Sequence, residues 1–82
     1  MANKIKQDIS IGRNLCKYRQ EARLSQELVA AKLQAQGIDI SREIISQMER
    51  GKYNIRVSIL LALAELYRTP IQDFFAGLDW FE

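Results

Sequence analysis

"SREIISQMERG", residues 41–51, is the stretch whose reading decides the fold of this chain. It holds three apolar side chains and four charges in eleven residues. Ser41 stands where a helix N-cap belongs, and Gly51 supplies the left-handed residue that ends a helix. Ile40 and Ile45 take the N′ and N4 positions of a hydrophobic staple. At about 100° per residue, Ile45, Met48, Ser41 and Glu49 share one arc of the helix. Ser46, Arg50, Glu43 and Gln47 form the opposite, wholly polar arc, with Arg42 and Ile44 on its flanks. One face anchors and the other presents. The presenting face is either a solvated surface or a reading head.

The same punctuation runs through the rest of the chain. Upstream, Ile11, Leu15, Tyr18 and Ala22 form the stripe of a first helix over about residues 8–23, capped by Asp8 or Ser10. Ser25 caps a second helix, with Leu24 and Val29 as its staple and Val29, Ala30 and Leu33 as its inner face. Gly37 ends it. Downstream of the quoted stretch, "KYNIR" is a loop. "VSILLALAELYR" is a fourth helix, with Leu60, Leu61, Leu63, Ala64 and Tyr67 inward and Arg68 closing it. Thr69-Pro70-Ile71-Gln72 has the form of a capping box with Pro at N1, so a fifth short helix is expected there, stopping at Gly77. No segment alternates with period two. The expectation is a compact five-helix, all-α bundle.

Composition narrows the function. Eighty-two residues make one domain at most. Apolar residues are 48% and charged residues 27%, a folded rather than a disordered composition. No apolar run reaches the length of a membrane span, and the start lacks the apolar core of a signal peptide. Cys16 is alone, so no internal disulfide forms and the cytoplasm is the expected compartment. There is no histidine, no partner for Cys16 in nucleophilic catalysis and no phosphate-cradling glycine loop. No enzyme, metal site or cofactor is expected. Cys16 reads as a half-buried filler. The net charge of +2 is unevenly spread: eleven of the twelve Lys/Arg lie in residues 1–56, against six of the ten acids. A basic front and an acidic back suit a protein that meets a polyanion with one surface.

Two helices joined by a glycine-containing turn, the second capped by serine, form a helix-turn-helix pattern. "IGRNLCKYRQEARLSQ" (11–26), "VAAKL" (29–33), "ISREIISQMERGKYN" (40–54), "LLALAELY" (60–67) and "PIQDFF" (70–75) together resemble the Cro/C1-type (XRE-like) helix-turn-helix regulators of phages and bacteria. The sequence departs from that pattern in three places. "QAQGID" lengthens helix 2 and its turn, Ile55 stands where proline is common, and Leu28 stands where a charge is usual. The resemblance implies a lambda-repressor-like DNA-binding domain over residues 11–77, after a lead-in at 1–10 and before a tail at 78–82.

Several site expectations combine the residues with this resemblance. On helix 3, Gln47 suits adenine N6 and N7, and Arg42 suits guanine O6 and N7 or a phosphate. Glu43 accepts from cytosine N4, Ile44 meets a thymine methyl, and Ser46 is a further candidate on the presenting face. The resemblance implies that the helix N-terminus points toward DNA. Gln26 opens helix 2 at a site attractive to anions, and the family's matching glutamine touches the DNA backbone. Ser41, Arg50, Lys52, Tyr53 and Asn54 around helix 3, and Arg13 and Lys17 on helix 1, complete the expected phosphate contacts. Arg19 bears the same relation to Leu15 as Glu49 does to Ile45, beside each apolar stripe. The family pairs an arginine and a glutamate at these positions, so an ion pair is expected to fix helix 1 against helix 3.

Helix 4 is more apolar than one core face requires. Ile59, Leu63 and Leu66, with Leu78, Trp80 and Phe81 in the tail, are therefore expected either to cover the core or to form a homodimer seam. The resemblance implies a symmetric dimer on a palindromic operator, with half-sites about 34 Å apart. The leading expectation is a transcriptional repressor that binds double-stranded DNA. Since no inducer domain follows, it would be regulated by its concentration, a partner protein or proteolysis. The alternative is a protein-interaction module or an antitoxin-like partner that works through the apolar helix 4 and tail surface.

Overall fold

A computed structural model describes residues 4–5 and 9–78 of the chain. It is mostly helical: α1 (Gly12–Glu21), α2 (Gln26–Ala35), α3 (Arg42–Glu49) and α4 (Val57–Tyr67), followed by a 3-10 helix at Ile71–Phe75. Serine hydroxyls start the middle two helices. Ser25 Oγ accepts from Leu28 N–H at 3.0 Å, and Ser41 Oγ accepts from Ile44 N–H at 3.3 Å. Each cap satisfies one N–H that the helix leaves without a partner. α1 starts later than its sequence pattern implies. Ser10 Oγ takes the Gly12 N–H at 3.0 Å, and Ile11 at the N-cap adds no side-chain cap. Asp8 lies outside the described residues.

All four α-helices end in the same way, with a residue of positive φ followed by a bond back across the last turn. The residues are Arg23 (62°), Gly37 (85°), Gly51 (73°) and Arg68 (54°). The closing bonds run from Leu24 N to Arg19 O, Ile38 N to Leu33 O, Lys52 N to Gln47 O and Thr69 N to Ala64 O. These are Schellman closures. Two of them use glycine, as the sequence implies, and two force an arginine into the left-handed region.

The core takes one face from each helix. Ile11 and Leu15, Val29, Ala30 and Leu33, Ile40, Ile45 and Met48, and Ile59, Leu60, Leu63, Ala64 and Tyr67 are all buried. α1 packs on α3, and α2 on α3. α1 approaches the backbone of α3 closely at Gly12. A Cβ there would fall 2.8 Å from the Met48 carbonyl oxygen and 2.6 Å from the Glu49 carbonyl carbon. Phe74 is fully buried between Tyr18 of α1 (ring centroids 6.0 Å apart) and Tyr67 of α4 (6.3 Å, edge-on). Asn14 of α1 donates to the carbonyls of Phe74 and Ala76, both at 2.9 Å, and so ties the C-terminal turn to α1.

Four expectations are corrected. The segment after Pro70 is a 3-10 helix, and its capping box does not form. Pro70 O accepts from Asp73 N–H, and the Thr69 hydroxyl donates to Tyr67 O at 3.2 Å. A two-residue antiparallel pairing joins β1 (Lys4–Ile5) to β2 (Ile55–Arg56), too short to leave a periodic signal, and Ile55 is fully buried. Leu61, expected inward, is 53% exposed. Ile59 and Leu63, for which a dimer seam is one of two expectations, are 5% and 1% exposed and belong to the monomer's own core, as the inward placement of Leu63 implies. α4 is apolar around most of its circumference, so its composition does not say which leucines face inward. Leu66 and Leu78 are half-buried against the core. Trp80 and Phe81 lie outside the described residues.

Candidate nucleic-acid interface

The reading-head candidate is held from beneath. Ile45 and Met48 are each 1% exposed, and Ile44, at the rim, is half-buried against the core. Arg42, Glu43 and Arg50 are exposed, and Ser46 and Gln47 are half-exposed. The amphipathic division of α3 therefore exists in three dimensions, with Ile44 leaning toward the anchoring side.

A part-buried polar network joins this helix to its neighbours. Arg19 of α1 meets Glu49 of α3 through both carboxylate oxygens, Nε to Oε2 at 2.6 Å and Nη2 to Oε1 at 3.1 Å. Arg19 Nη1 also donates to Leu24 O at 2.9 Å, and Nη2 lies 3.5 Å from the Cys16 sulfur. Gln26 Nε2 donates to Glu49 Oε1 at 3.0 Å, which brings the first residue of α2 into the same network. Such a two-point arginine–carboxylate pair fixes orientation as well as distance. The side chains keep only 12% and 6% of their exposure, so most of the Coulomb gain is offset by desolvation. The pair's main effect is to set where α3 sits.

The network leaves its mark on ionisation. The bond to Glu49 raises the Arg19 guanidinium further, against the opposing effect of burial. Burial pushes the Cys16 thiol above its ordinary value, and the Glu49 charge adds to that. The Tyr67 hydroxyl is pushed up mainly by burial, then by Glu49. Cys16 is thus a suppressed thiol rather than an activated one.

The other candidates divide into two groups. Arg42 shares an open depression with Arg19, Ser25, Gln26 and Glu27, so the start of α2 and the start of α3 face one surface. Ser41 caps α3, and Lys52 and Asn54 are exposed just beyond it. Tyr53 is half-buried against the core. Arg13 and Lys17 sit elsewhere, lining a cleft with Asn14, Tyr18, Gly77 and Leu78, and Lys17 Nζ lies 5.1 Å from the Tyr18 ring centre. The structure also shows tertiary contacts that the sequence does not announce, at Gly12, Asn14 and Gln34. The first two work through the contacts already described. Gln34 Nε2 donates to Ile40 O at 2.6 Å across the α2–α3 turn. Among the described residues, no cluster of side chains has the makings of a metal site, and no helix is long and apolar enough to cross a membrane.

Two capped helices crossing at a glycine turn, the second with a buried face and an open polar face, define a helix-turn-helix domain. A family model described as helix-turn-helix matches residues 17–74, and the chain belongs to that family in its Cro/C1-type, XRE-like form. A comparison with curated proteins finds no match. The class of activity that goes with the family is sequence-specific DNA binding.

Proposed function

We propose that the chain is a transcriptional repressor that reads the major groove of double-stranded DNA with α3. The observation that carries this reading is the division of α3. Ile45, Met48 and Glu49 fasten it, while Arg42, Glu43, Ser46 and Gln47 remain on the open side. These side chains match the donor and acceptor pattern of base edges. Gln47 pairs with adenine, Arg42 with guanine or phosphate, and Glu43 with cytosine. Ile44, half-buried at the rim, keeps enough surface for a thymine methyl. Gln26, Ser41, Arg50, Lys52, Tyr53 and Asn54 surround the reading helix and meet phosphates, setting affinity more than sequence choice. Gln26 reaches a phosphate through the second N–H of its Nε2, the first being donated to Glu49. Arg13 and Lys17, in their separate cleft, contribute to the long-range field.

The operator is palindromic, and two copies of the chain bind it. With Ile59 and Leu63 buried, the surface left for the second copy centres on Leu61 and Val57 of α4. Those two exposed residues are also what favours the second reading, a protein-interaction module or antitoxin-like partner.

Selection of bound sequences from random duplexes at moderate salt tests the proposal. The expected result is one enriched motif with two-fold symmetry. A motif without symmetry would remove the dimer, and no motif at all would remove the repressor reading in favour of the interaction module.

A further inference from the structure

We propose that Gln34 is a positioning residue that sets the docking angle of α3 across the long α2–α3 turn. The inference rests on the DNA-reading assignment of α3 and names a further residue on which that reading depends. α2 ends at Ala35 and α3 starts at Arg42, so Gln36 to Ser41 must carry the chain between them. The backbone closure of α2 reaches only as far as Ile38, whose N–H bonds to Leu33 O at 3.0 Å. Beyond it, Asp39 is exposed. Ile38 and Ile40 hold the turn to the core, but apolar contacts are not directional and permit a helix to pivot about them.

The directional tie is the Gln34 side chain. From the last turn of α2, its amide spans six residues to the carbonyl of Ile40, the residue immediately before the Ser41 cap. That carbonyl belongs to the peptide that leads into the cap, so fixing it fixes the direction in which α3 sets off. At the far end of α3, Glu49 is fixed by Arg19 and Gln26. A helix held at both ends has one orientation. A helix held at one end and along an apolar face can tilt. Because the bond lies in the turn rather than in the core, its loss changes the tilt while the fold remains.

A tilted reading helix loses all of its base contacts together. Gln34→Ala is therefore expected to flatten preference over the whole half-site. It should weaken specific binding by roughly three- to tenfold, the effect of one hydrogen bond, and leave affinity for random duplex near the wild-type value. Gln34→Lys, which still carries an N–H donor, should restore the wild-type profile, whereas Gln34→Glu, the closest in shape but without that donor, should not. Specific affinities are compared well below each variant's melting temperature. Amide exchange of the free protein gives a second readout that needs no DNA: Ile44 and Ile45 N–H should exchange faster in the Ala and Glu variants while the amides of α1 and α4 do not change. A wild-type profile in Gln34→Glu, or unchanged exchange at Ile44 and Ile45, would overturn the proposal. If the wild-type chain enriches no motif, the DNA reading fails, and the exchange measurement alone decides whether Gln34 orients α3.

Discussion

Gly12 of α1 lies so close to the backbone of Glu49 in α3 that no methyl group fits between them. The contact is between helix and backbone, so there is no flexible side chain to move aside. It also lies one residue from Met48 and at the very residue whose carboxylate binds Arg19, so separating the two backbones would disturb the ion pair. Gly12→Ala tests this. Alanine is the better helix former by about 0.5–1 kcal/mol, and in an open site it would stabilise α1. Here overpacking should dominate and lower stability by about 1–3 kcal/mol. Urea unfolding measures it, and a neutral or stabilised variant would show that the helices separate at no cost.

The Arg19–Glu49 pair should show the asymmetry of a buried ion pair. Arg19→Ala strands a carboxylate that is 6% exposed, leaving it the neutral Gln26 amide and Cys16 thiol, and should cost about 3 kcal/mol or more. Glu49→Ala should cost less, because the guanidinium keeps the Leu24 carbonyl and more solvent. The double variant Arg19→Ala/Glu49→Ala should lose less than the sum of its singles, since desolvation is removed along with the attraction. A double variant as unstable as the sum of its singles would mean that the two residues act independently.

What could be read from the sequence was what is local. Ser25, Ser41, Gly37 and Gly51 mark helix ends because capping chemistry acts within four residues. The amphipathic division of α3 follows from helical periodicity alone. Relations set by packing could not be read from the residues alone, and the Arg19–Glu49 pair is expected only through the family resemblance. Gly12 is an unremarkable residue until α3 crosses it, and the partners of Asn14 are more than fifty residues away. In α4, leucine follows leucine, so Leu60 inward and Leu61 outward is decided by what packs against the helix. Among the described residues, Phe74 is the largest fully buried side chain, enclosed by two tyrosines from other helices.

The left-handed conformation of two arginines is another feature without a sequence signal, although the sequence does place Arg68 at the close of α4. Arg23 and Arg68 occupy the closure positions that glycine fills after α2 and α3. A side chain in that region costs about 1–2 kcal/mol, part of which a glycine returns through its freer unfolded state. Arg23→Gly and Arg68→Gly should each raise stability by about 0.5–1 kcal/mol, seen as a higher urea midpoint with an unchanged slope. Gly37→Ala should do the reverse although nothing lies within 4 Å of its added Cβ, because its φ of 85° is the obstacle. Equal midpoints across all three variants would show that these conformations carry no strain.

Gln47 and Lys52 separate reading from holding. Gln47 stands half-exposed on the open side of α3, one residue before the buried Met48, so its amide is carried on a fixed backbone and can face one base. Removing it should relax preference at a single position and cost about 1–3 kcal/mol against the selected sequence, with little change on random duplex. Lys52 follows the glycine that closes α3 and is exposed, at a place where a cation meets phosphate rather than a base edge. Lys52→Ala should weaken every duplex alike and reduce the dependence of log affinity on log salt by about one unit. Binding titrations at several salt concentrations, on selected and random duplexes, distinguish the two. If Gln47→Ala weakens all sequences equally, α3 is not reading bases through that residue. If Lys52→Ala alters preference at one position, the loop after α3 is part of the reading surface.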